Sequence, residues 1–110
     1  MKALSDRRCK PCEGGVPPLG AAQITQYLKE LKCPWEVVDN QKIRREFTFK
    51  GFNEAMYFVN EVAAVAEGEG HHPDMHIYFK KVIIELWTHA IGGLSENDFI
   101  LASKIETCDT

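Results

Sequence analysis

The chain has 110 residues, 45% of them apolar and 26% charged, a balance that suits one globular domain with a real core and excludes a disordered segment. Thirteen Lys and Arg against sixteen Asp and Glu leave a net charge of −3, so no basic footprint marks a nucleic-acid binder. No apolar run approaches the ~20 residues of a membrane span, and Met1 to Gly15 lacks the apolar centre of a secretory signal. The expectation is a cytoplasmic or nuclear protein with no membrane partner.

Residues 1–18 hold three prolines and two glycines and read as an irregular arm; residues 19–110 read as one domain. Cys9 and Cys12 form a C-x-x-C pair. Structural zinc needs four ligands, and no second pair follows; a redox pair should open a helix, whereas loop residues follow here. The arm is therefore expected to be inert or loosely ordered, with reduced thiols.

A helix is expected from Gly20 to Pro34. Ile24, Leu28 and Leu31 form one apolar stripe with Tyr27 beside it, Gly20 is the N-cap with Gln23 three residues on, and Pro34 ends the run. Trp35 to Val38 reads as a short strand, and Asp39-Asn40-Gln41 as a turn, because Asp and Asn tolerate the backbone angles it needs. Lys42 to Phe49 alternates, with Ile43, Phe47 and Phe49 on one face and Arg45 as that face's exception. From Phe52 the period becomes helical: Phe52, Ala55, Met56, Val59, Val62, Ala63 and Ala66 share one side, the core face of the main helix. Tyr57, Phe58 and Val65 lie outside that stripe and suggest a subunit contact, with a tightly wrapped monomer helix as the alternative.

Gly68 and Gly70 stop this helix, and Pro73 prevents its resumption. Ile77 to Phe79 and Val82 to Thr88 are strand-like, joined by Lys80-Lys81 as a two-residue connection. Gly92-Gly93 breaks the chain, and Ser95 opens a last helix with Asp98 as its capping-box partner and Leu94 stapled on Phe99. The fold class is α+β, in the order α-β-β-α-β-β-α: a four-stranded antiparallel sheet with helices packed on one face.

All four histidines lie between residues 71 and 89. With Lys80-Lys81 as the hairpin turn, position 72 faces position 89, and His71, His72 and His89 meet at the hairpin's open end. His72 and His76 have the i, i+4 spacing of a helical metal pair, but Pro73 opposes that helix, so no metal is assigned. Imidazoles titrating near pH ~6.5 can instead hold one proton donor and one acceptor together, as a dehydration requires. Glu67 and Asp74 are near enough in sequence to orient a histidine.

Gly70-His71-His72-Pro73-Asp74, followed by Thr88-His89-x-x-Gly92-Gly93-Leu94-Ser95-x-x-Asp98, resembles the signature of the pterin-4a-carbinolamine dehydratases, and the similarity runs from about Leu19 to Ile105. The resemblance implies the same α-β-β-α-β-β-α fold. It also implies dehydration of 4a-hydroxytetrahydropterin to quinonoid dihydropterin, a step that recycles tetrahydrobiopterin, with no metal and no cofactor. His71 and His89 would be the acid–base pair, with His72 as the third catalytic-site histidine, binding and orienting the pterin. Gly70, His71, His72, Pro73, Asp74, Trp87, Thr88, His89 and Ala90 would line the substrate pocket, with Glu67 behind them. The partners implied are the pterin and further copies of the chain, as homodimer or homotetramer. A secondary protein-interaction role is the alternative, since members of this family also act as a dimerization cofactor for a transcription factor. Met75, Phe79, Lys80 and Gly20 depart from the common pattern, and His76 has no catalytic counterpart in it.

Overall fold

The computed structural model describes residues 3–10 and 17–108; Cys12 and the pairing it would make lie outside them. The elements are α1 (Ala21–Leu28), β1 (Glu36–Val38), β2 (Lys42–Thr48), α2 (Phe52–Glu69), β3 (Asp74–Tyr78), β4 (Lys81–Leu86) and α3 (Glu96–Ile105), with single 3-10 turns at Leu4–Asp6 and His89–Ile91. The four strands form one antiparallel sheet in the order β1-β2-β4-β3. The expected α+β order is thus the observed one.

Alternation dictates the sheet's two faces. Ile43 and Phe47 of β2 and Val82, Ile84 and Leu86 of β4 are buried against the helices. The other face carries charge, with Glu85 at its centre. Lys42 and Arg44 lie 3.5 and 3.7 Å from its carboxylate, and His76 lies 3.3 Å away, outside the cleft described below. Arg45 stays on the apolar face by laying its guanidinium over the Phe47 ring, 4.3 Å from the centroid. Asp39 and Asn40 both adopt left-handed angles, φ 53° and 55°, and the Gln41 N–H donates to the Val38 carbonyl. A turn was expected here, and these angles make it a mirror-image one.

Several expectations are corrected. Helix α1 ends at Leu28, well before Pro34; Glu30 and Leu31 N–H groups bond back three residues instead, which tightens the chain and buries Leu31. In α2 the core face is Ala55, Phe58, Val59, Val62 and Ala66. Phe58 therefore belongs to the core, where it meets Phe47 and Phe49 with ring centroids 4.7 and 5.0 Å apart. Phe52 and Ala63 stand at the flank of this face, exposed to solvent. Gly68 does not stop α2; the helix continues to Glu69 and is closed by Gly70 alone, at φ 69°. Helix α3, rather than α2, is the most enclosed element, with Asn97 through Ser103 buried. It is covered by α1, α2 and the Leu4–Asp6 turn, whose Leu4 is 2% exposed.

Candidate functional site

Two chain reversals place the histidines. The first closes α2. Gly70 takes the left-handed conformation, its N–H bonds to the Glu67 carbonyl, and the His71 N–H bonds to the Ala66 carbonyl. This pairing needs a residue with φ above zero before His71, which glycine meets without a Cβ clash. The second is the loop 88–93, clasped by a bridge in which the Thr88 N–H donates to the Gly93 carbonyl at 2.7 Å. His89 begins the 3-10 turn inside that clasp.

Between the two reversals lies a cleft of about 470 Å³, in the range of small-molecule sites. Its lining includes His71, His72 and His89 together, with Gly70, Pro73 and Asp74 from one reversal and Trp87, Thr88 and Ala90 from the other. Glu67 is not among the described lining residues; its exposed side chain meets the site at His72, whose Nε2 lies 2.7 Å from its Oε1. A larger hollow of about 570 Å³ lies between the end of β2, the start of α2 and Cys108, but no histidine lines it.

The hairpin register differs from expectation. The turn is Phe79-Lys80, one residue earlier than expected, and pairing runs from Tyr78↔Lys81 to Asp74↔Glu85. Continued outward, it sets position 72 opposite position 87, not 89. Lys80 is thus a turn residue while Lys81 belongs to the ladder, and Phe79 takes φ 54°. The histidines still converge, because the two chain reversals, which lie outside the ladder, carry them.

The electrostatics are specific. His71 is largely buried, and its Nε2 lies 2.6 Å from Oδ1 of the fully buried Asp98. The other oxygen of Asp98 accepts from the Thr88 hydroxyl at 2.8 Å and from the Ser95 N–H at 2.9 Å. With all these groups donating to the carboxylate, Nε2 of His71 carries the hydrogen, and Nδ1 is the nitrogen left for a substrate. On the opposite wall, His89 stacks on the Trp87 indole with centroids 3.8 Å apart, and the indole N–H donates to Asp74 at 3.1 Å. Asp74 is thereby committed to Trp87 rather than to a histidine. Among the described residues no group of three or more His, Cys, Asp and Glu side chains converges as a metal site.

Two lining residues escaped sequence reading, Lys10 and Asn97. The Lys10 N–H donates to the Asn97 side-chain oxygen at 3.0 Å, and the Asn97 amide donates back to the Lys10 carbonyl at 2.6 Å. Beside them the Cys9 N–H donates to Glu69 at 2.8 Å. Burial alone would raise the Glu69 pKa, but this bond together with Lys104 and Arg8 outweighs it and holds the carboxyl below its usual range. The Cys9 thiol is pushed up to about 12, first by burial and then by the charge of Glu69. Asp98 was legible only as a cap; nothing in the sequence announces that the same carboxylate holds His71.

A buried carboxylate behind one imidazole, with a second imidazole across an open cleft, is an arrangement with the chemistry to move protons, set on an α+β scaffold. The chain belongs to the family described as Pterin 4 alpha carbinolamine dehydratase, which it matches over residues 17–108. A relative from Nitrosomonas eutropha, provisionally named a pterin-4-alpha-carbinolamine dehydratase, is 52% identical over 103 residues, covering 94% of this chain and 90% of that one. The crystal structure of a transcriptional coactivator/pterin dehydratase from Brucella melitensis is similar with a TM-score of 0.78 and 31% identity, covering 84% of this chain and 99% of the other. A pterin dehydratase-like protein identified as a RuBisCO assembly factor in the alpha-carboxysome shares the fold, with a TM-score of 0.60 and 19% identity over 70% of this chain and 90% of the other.

Proposed function

We propose that this protein dehydrates a pterin-4a-carbinolamine. The C4a–O bond breaks, the departing hydroxyl takes a proton and leaves as water, the N5 proton is removed, and the C4a=N5 double bond of the quinonoid dihydropterin forms. Acid and base must act at adjacent atoms of one ring, so two proton carriers must face one bound pterin. His71 and His89 fill these roles, and His72 orients the ring. The observation that carries the reading is the His71–Asp98 contact at 2.6 Å in the cleft that His89 also lines. It leaves one nitrogen of His71 to give or take a proton.

The same reading includes tetrahydrobiopterin recycling in the cytoplasm and assembly as a homodimer or homotetramer. Exposed Phe52 and Tyr57 on α2 support assembly, and light scattering of the purified protein tests it. No helix among the described residues is long and apolar enough to cross a membrane.

Chemically generated 4a-hydroxytetrahydropterin, followed by absorbance with and without protein, tests the chemistry. Acceleration should survive His76→Ala and fall at least about tenfold in His71→Ala and in His89→Ala. Equal rates in all three variants would remove the catalytic reading and favour a protein-interaction role.

A further inference from the structure

The cleft has a wall that the family match, beginning at residue 17, does not include. Residues 7–10 are fastened in place along their length. Arg7 meets Glu96 at 3.0 Å, Arg8 and the Cys9 N–H both reach Glu69, and the backbone of Lys10 is held at donor and acceptor by the Asn97 amide. Asn97 is 8% exposed, so its amide is a fixed partner, and it anchors Lys10 as a neighbouring strand would. Lys10 then lines the cleft, the one Lys or Arg among its described lining residues. Among the described residues no carboxylate lies within ion-pair distance of its ammonium. The acids nearby are committed elsewhere, Asp74 to the Trp87 indole and Asp98 to His71.

We propose that Lys10 is a substrate-contacting, specificity-determining residue, and that the cleft prefers a reduced pterin whose side chain carries an anionic group. The proposal rests on the dehydratase reading for its ring chemistry. Its own basis is charge complementarity: a cation with no ion-pair partner among the described residues, on a backbone pinned at a cleft wall, is placed to meet an anion, and such a contact is charge-assisted. Asn97 acts as a positioning residue, through the backbone of Lys10.

The test compares two 4a-carbinolamines, one with a neutral dihydroxypropyl side chain and one with a phosphate ester on that side chain. Lys10→Gln should raise KM for the phosphorylated substrate about tenfold more than for the neutral one, with similar kcat on both. Lys10→Arg should restore most of that difference, and Asn97→Ala should reproduce the loss. The wild-type preference for the phosphorylated substrate should shrink with added salt. Equal KM changes on both substrates, or none, would overturn the proposal while leaving the dehydratase reading intact. Should the wild type accelerate neither reaction, the dehydratase reading fails. The charge preference is then judged by binding of the two corresponding oxidised pterins, read by quenching of tryptophan fluorescence. A wild-type preference for the phosphorylated compound that Lys10→Gln abolishes supports it, and equal binding of the two compounds overturns it.

Discussion

His71 and Asp98, 27 residues apart in the chain, meet at 2.6 Å, and the same Asp98 carboxylate caps the helix that forms the floor of the domain. One side chain therefore serves two ends: it closes the first turn of α3 and it holds Nε2 of the His71 imidazole. The two duties can be separated by experiment.

Asp98→Asn keeps the side chain's shape but loses the negative charge and one of the two oxygens that accept from His71, Thr88 and Ser95. Rate should fall about 10–100-fold in kcat with a smaller change in KM, and the pH–rate profile should shift, since an oriented imidazole is lost. Stability should drop by only about 1 kcal/mol, the cost of a weakened cap, measured by urea unfolding. An unshifted pH profile at full kcat would show that Asp98 is a cap and nothing more.

The two glycines at the end of α2 should respond in opposite directions. Gly68 is helical, and a Cβ there meets nothing within 4 Å, so Gly68→Ala should stabilise by about 0.5–1 kcal/mol. Gly70 stands at φ 69°, so Gly70→Ala should cost about 1–2 kcal/mol and lower activity by turning His71 away from the cleft. Urea midpoints of the two variants, with their rates, check both signs.

Gly93 is required for space. A Cβ added there would lie 2.7 Å from the Pro18 Cβ, where the chain entering the domain crosses loop 88–93. Gly93→Ala should destabilise by about 1–3 kcal/mol, and much of that should be recovered when Pro18→Gly is combined with it. A double-mutant cycle showing strict additivity would refute the steric account.

Cys9 links the arm to pH. In the unfolded chain its thiol ionises near 9, whereas in the fold it is pushed up to about 12. The neutral thiol is thus favoured by folding, and the group's contribution is fully present below pH 9 and lost as pH rises from 9 to 12. Wild type should lose more stability than Cys9→Ser between pH 8 and 11, in paired urea titrations. Alkylation of Cys9 at pH 8 should be correspondingly slow, read by mass spectrometry of the labelled peptide.

Much of the framework was legible because its signals are local. The alternation of Ile43 and Phe47, the Asp39-Asn40 turn and the Ser95–Asp98 cap each involve residues a few positions apart, so period or turn chemistry reveals them. The resemblance carried by Gly70 to Asp74 and by Thr88-His89 pointed to a set of residues that the fold gathers in one cleft. The hairpin turn was misplaced by one residue because Phe79 sits in a left-handed conformation that its side chain does not advertise. The α2 stripe was misphased because its flanks are apolar too, and hydrophobicity alone does not choose among apolar faces.

The sequence by itself determined the order of elements, the antiparallel α+β class and the family of chemistry, since these follow from periodicity and a local signature. Tertiary structure alone decided that Asp98 backs His71, that Asp74 serves Trp87, and that Lys10, in an arm expected to be inert or loosely ordered, lines the cleft. Each of those contacts joins residues far apart in the chain, Lys10 and Asn97 by 87 positions. Such pairs leave no period or motif to read. They exist only once the core has packed and brought its polar groups within bonding distance.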